Sequence, residues 1–130
     1  MTPAALRDLG RLMEARKARD LARLERLASE ARALDAELAT LAATAVADVA
    51  SGEPLPPGRQ AARLAWIDQR TAMVRQQRAA LAPEIERARA AAVQSLGRER
   101  ALDRVAETAA RAEAARRTSR DEREAPSGGT

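Results

Sequence analysis

From Leu24 onward the chain places Leu24, Leu27, Ala31, Leu34, Leu38, Leu41 and Ala45 at alternating steps of three and four residues. Such steps keep the apolar groups on one stripe of a helix and match the seam of a coiled coil. A second set obeys the same rule: Leu64, Ile67, Val74, Leu81, Ile85, Ala88 and Ala92, then Leu102, Ala106 and Ala109. Between the two lies Ser51-Gly52-Glu53-Pro54-Leu55-Pro56-Pro57-Gly58, whose prolines and glycines forbid a continuous helix. The pattern predicts an all-α fold, a long two-helix antiparallel coiled-coil hairpin over residues 1–125, with arms at 3–50 and 59–124 and a turn at 51–58. If the turn is centred near Leu55, residue i of the first arm faces roughly residue 110 − i of the second, and the second arm outruns the first after about Glu107. Residues 126–130, Pro-Ser-Gly-Gly-Thr, have the composition of a disordered tail.

Local signals refine the boundaries. Thr2 can cap the first arm, and Pro3 suits its first helical position because the missing N–H has no helical partner there anyway. At the far end Gly52 can take a left-handed conformation, and Pro54 cannot continue the helix. Inside the second arm, Pro83 removes one helical hydrogen bond, which predicts a kink at Leu81-Ala82 and a restart at Pro83-Glu84. Gly10 and Gly97 stand at nearly one level of the two arms. They mean either local softness or a close approach of the helices.

Composition removes whole classes of function. Trp66 is the only aromatic residue and roughly a quarter of the chain is Ala, so a thick globular core is excluded. No run alternates apolar and polar residues with β-branched enrichment, so no strand is expected. The chain has no Cys, which rules out disulfides and thiolate metal sites, and no apolar run approaches the length of a membrane span. With no signal-peptide core at the amino end, the chain reads as cytoplasmic. His and Tyr are absent as well, and no carboxylate pair looks desolvated; together with the lack of a Gly-rich phosphate loop this argues against catalysis and against a bound cofactor.

Charge falls unevenly. The net charge is +4; residues 1–50 carry eight basic and eight acidic groups, residues 59–125 fifteen and ten. Many of these form intrahelical ladders, Glu14 to Lys17, Arg16 to Asp20, Glu107 to Arg111, Glu113 to Arg117 and Arg120 to Glu124, the ordinary dress of a solvated helix. The overhang is different, because there Arg111, Arg116, Arg117 and Arg120 have no second helix of this chain to support. Arg7 and Arg11 lie near the same end on the first arm. An arginine-rich helix could bind nucleic acid, but the interleaved Asp103, Glu107, Glu113, Asp121, Glu122 and Glu124 would repel phosphate, and no aromatic is at hand to stack on bases. Trp66, one position before seam residue Ile67, is either a flank of the core or an interface anchor; with Leu55 and Leu64 it would make a small apolar patch at the turn.

Leu6-Arg7-Asp8-Leu9-Gly10-Arg11-Leu12, then Arg19-Asp20-Leu21-Ala22-Arg23-Leu24, an Ala/Glu/Leu heptad arm, a break and a longer Arg/Glu-rich arm make the chain resemble the FliJ family, the flagellar type III export component, and its injectisome counterparts. The resemblance implies a two-helix stalk that is not an enzyme. Its partners would be the export ATPase ring, the export gate and export chaperones, and it would sit peripherally at the inner-membrane export apparatus without inserting into the membrane. It also implies that the terminal basic positions, Arg7, Arg11, Arg111, Arg116, Arg117 and Arg120, face the ring. The other reading of the same residues is a cytoplasmic coiled-coil adaptor of unspecified partners.

Overall fold

The computed structural model describes residues 2–50, 52 and 56–125. They form two helices, α1 over Pro3–Ala50 and α2 over Pro57–Glu124, joined as an antiparallel hairpin. The expected turn-end residue Leu55 and the expected tail 126–130 lie outside the described residues.

Both helices start on proline for one physical reason. Ala5 N donates to Thr2 Oγ1 at 3.1 Å and Leu6 N to the Thr2 carbonyl at 3.0 Å, so Thr2 caps the end and Pro3 occupies the first helical position. At α2 the Pro56 carbonyl accepts from Arg59 N at 2.9 Å and Gln60 N at 3.1 Å. Pro57 is therefore the first helical residue, and the second arm begins two residues before the expected Arg59. Gly52 has φ +62°, the left-handed conformation that ends α1 at Ala50.

The expected restart at Pro83 does not occur: α2 is helical without interruption from one side of it to the other. Pro83 itself is exposed, while Leu81 and Ala88 are buried and Ile85 is half-buried. Seam burial on both sides offsets the lost hydrogen bond, which alone costs about 3 kcal/mol.

Writing the heptad as abcdefg with Leu24, Ala31 and Leu38 at a and Leu27, Leu34 and Leu41 at d, the repeat extends beyond the apolar residues. It continues back through Asp20, Lys17, Met13 and Gly10 to Leu6 and forward to Asp48, and each of these residues is buried or half-buried. On α2 the buried line runs from Ile67 through Thr71, Val74 and Arg78 to Ser95, Glu99 and Leu102. Three expected seam residues fall outside it. Leu64 is 40% exposed beside Arg63, whose guanidinium is drawn to Asp48, and Ala106 and Ala109 are exposed.

Two compact units share the chain. In Asp20–Ala92 the seam is mostly apolar and holds the deepest burial, with Val74 and Ala88 fully buried. Arg63 bonds Asp48, Arg70 bonds Glu37 at 2.6 Å, and Arg78 bonds Asp35 at 3.0 Å, bridging the helices. Arg63–Asp48 and Arg78–Asp35 place residue i opposite roughly residue 112 − i and Arg70–Glu37 opposite roughly 107 − i, so the pairs bracket the sequence-based register to within one turn. In Met1–Arg19 with Val93–Thr130, Gly10 faces Leu102 and Lys17 meets Glu99. Gly10 is thus the glycine that lies in the seam. Gly97 faces open space, which answers the question of a close approach there in the negative.

A Cβ at Gly10 would sit 3.8 Å from Leu102 Cδ2, ordinary contact, so Gly10→Ala should raise stability by about 0.5–1 kcal/mol from helix propensity. Leu41→Ala, which empties a buried seam position, should cost about 2–5 kcal/mol. Denaturant midpoints of the two variants should move in opposite directions.

Candidate functional site

The proposed partner residues do not converge on one spot. Arg7 and Arg11 are exposed on α1, on its e and b positions. Arg111 pairs with Glu107 one turn back on its own helix. Glu113 gathers Arg116 at 3.1 Å and Arg117 at 3.7 Å. The Arg116 hydrogen bond, then its charge, with smaller help from Arg117 and Arg120, holds the Glu113 carboxyl below its ordinary value. Of the expected ladders, Glu14–Lys17, Glu107–Arg111 and Glu113–Arg117 form, and no ion pair joins Arg120 to Glu124 among the described residues. From residue 103 to residue 125 every side chain except Glu113 is exposed, so this part of α2 is supported by its own i,i+3 and i,i+4 pairs.

Trp66 belongs to the other unit and is 59% exposed. Met73, one heptad further along the same face, is also exposed, and Arg70 Nη1 approaches its sulfur at 3.6 Å. The tryptophan stands between Arg63 and Arg70 on that face, both anchored by carboxylates of α1.

What the apolar pattern concealed is the polar stretch of seam near the chain ends. Lys17 and Glu99 both occupy a positions, and Nζ lies 2.7 Å from Oε2. That oxygen is shielded from solvent and is held by charge rather than by an aligned hydrogen bond. Glu14 also binds Lys17, at 3.1 Å. The contact with Glu99 and then that with Glu14 raise the Lys17 pKa above 10.5, and Lys17 lowers that of Glu99 below 4.5. The signal was present in the sequence: Gly10, Lys17 and Leu24 are spaced by seven.

The chemistry on offer is that of surfaces. Among the described residues no group of three or more His, Cys, Asp or Glu could hold a metal ion, and no helix is long and apolar enough to cross a membrane. The fold and its side chains define a small helical hairpin of the scaffold type. Comparison with protein-family models, with curated proteins and with solved structures gives no match.

A lowered carboxylate stabilises the fold above its unfolded pKa and loses that contribution as pH falls through the folded value; a raised amine contributes below its unfolded pKa and loses it as pH climbs past the folded one. Wild-type melting temperature should therefore fall below about pH 4.5 and again above about pH 10.5. Glu99→Gln should flatten the acid limb relative to wild type. Equal acid slopes in thermal melts of the two would show that the seam pair contributes nothing.

Proposed function

We propose that this chain is a non-enzymatic stalk or adaptor of a flagellar type III export apparatus. In this role its open end engages the export ATPase ring, and it contacts the export gate and handles export chaperones. The observation that carries the reading is the exposed, self-supported stretch of α2 from residue 103 onward, in the unit that holds all of the chain's excess positive charge. That unit has thirteen basic against nine acidic residues, whereas Asp20–Ala92 has ten of each. A helix that orders without burying a stripe gains stability from meeting another molecule. The arginines of the overhang suit acidic or carbonyl-rich surface inside a ring, and a scaffold couples to a ring only through differential affinity for its states.

The test titrates the wild type and an Arg116→Glu, Arg117→Glu variant against the cognate export ATPase and against duplex DNA, each at two salt concentrations. The reading expects wild-type stimulation of ATP hydrolysis that weakens with salt and with charge reversal. Tight, salt-sensitive DNA binding with no effect on the ATPase would overturn it. Silence in both assays would also overturn it and leave an adaptor of other partners.

A further inference from the structure

We propose that one flank of the unit formed by Met1–Arg19 and Val93–Thr130 is a docking groove for an acidic amphipathic helix of a partner protein. The inference does not depend on the export-apparatus reading, and none of its residues is among the basic positions invoked there.

The flank is defined by pairing geometry. In an antiparallel coiled coil the g positions of the two helices flank the seam on one side, with the c positions beside them, while e and b positions share the other side. The Glu37–Arg70 bond, which joins g to g in the other unit, shows this arrangement in the chain. On the g and c side of the terminal unit stand Leu9 and Leu12 of α1 with Ala101 and Val105 of α2. Leu12 is 69% exposed and Val105 53% exposed. These two large apolar groups are uncovered on the same side of the hairpin, within about two helical turns of each other along its axis, with Leu9 between their levels.

Charge selects the partner. The same flank carries Arg16, Arg19 and Arg98, and no carboxylate appears at its g or c positions until Glu122. The other acids of this unit occupy a, b, e and f positions. None of the three arginines takes part in an ion pair among the described residues. An apolar strip bordered on one side only by unpaired arginines is complementary to a helix with a Leu stripe and a glutamate edge. Self-pairing would bring the same arginines face to face. Bilayer insertion is disfavoured because the strip lacks aromatics and is otherwise built of Ala and Thr, small groups that suit close approach of a helix backbone better than burial among acyl chains. The strip from Ala5 to Arg19 spans about 20 Å, the length of about four helical turns.

The test uses the full chain and a synthetic three-heptad peptide with Leu at a and d and Glu at e and g. A second peptide carries Lys in place of Glu, and vesicles of anionic and neutral phosphatidylglycerol/phosphatidylcholine composition complete the set. Binding is followed by titration calorimetry and the oligomeric state by sedimentation. The proposal expects one-to-one binding of the acidic peptide only, at least tenfold weaker for Leu12→Glu, Val105→Glu and for Arg16→Glu, Arg19→Glu. Circular dichroism keeps the result interpretable, since all four positions are exposed and these variants should retain wild-type helicity. Charge reversal of Arg7 and Arg11 on the opposite flank should leave binding unchanged. Equal binding of both peptides, or binding that survives both flank variants, would overturn the proposal. So would anionic vesicles alone engaging this flank, or self-association through it that Leu12→Glu abolishes.

Discussion

Everything in this molecule rests on a seam only one side chain wide on each helix. The groups that fill it are small: Ala31, Val74, Ala88 and Ala92 are buried as deeply as Leu41, Ile67 and Leu81. Small residues set against leucines let two helices meet closely without an aromatic core, and the buried apolar area is correspondingly modest. The hairpin therefore draws on a second tier of interactions. Helix-forming Ala and Arg lower the cost of ordering the backbone, and guanidinium–carboxylate pairs at the edge of the seam, Arg63–Asp48, Arg70–Glu37 and Arg78–Asp35, fix which residues lie opposite each other. Edge pairs of this kind contribute little energy when solvated, but they disfavour displaced registers in which like charges would meet.

Much of the fold was legible because it depends on local chemistry. Thr2-Pro3 and Gly52 mark the ends of α1, and the three-and-four spacing of Leu and Ala gives both stripes and the register to within one turn. The second helix begins at Pro57 rather than Arg59 because the Pro56 carbonyl accepts the first helical bonds, which puts Pro57 where a missing N–H costs nothing. Pro83 was the harder case. A proline read alone signals a restart, but seam burial at Leu81 and Ala88 carries the helix through. Ala106 and Ala109 obey the spacing and are nonetheless exposed, since periodicity locates a stripe without saying whether anything covers it.

The functional surfaces were less legible, for a related reason. Heptad reading looks for apolar residues and so passes over Lys17 and Glu99, although they sit at seam positions and pair across the helices. The strip formed by Leu9, Leu12 and Val105 could not be assembled before the two helices were paired, because its members come from opposite ends of the chain and share a flank only in the antiparallel arrangement. Exposed arginines were easy to find and hard to group: Arg7 and Arg11 sit on one flank of α1, while Arg116 and Arg117 gather around Glu113 on α2. Trp66, the sole aromatic, stays more than half exposed between two anchored arginines, so it adds little to the core beside Ile67.

The central claim is that the two stripes satisfy each other within one molecule, and the most direct measurement is a distance. Spin labels on cysteines introduced at Ala39 and Ala72, exposed positions on the same flank of Asp20–Ala92, should be read in dilute protein mixed with excess unlabelled chain. Packed helix axes lie 8–10 Å apart, so the intramolecular hairpin predicts a narrow distribution below about 25 Å. A distribution centred beyond about 40 Å, as expected if the two stripes paired with other molecules and the chain were extended at about 1.5 Å per residue, would contradict it.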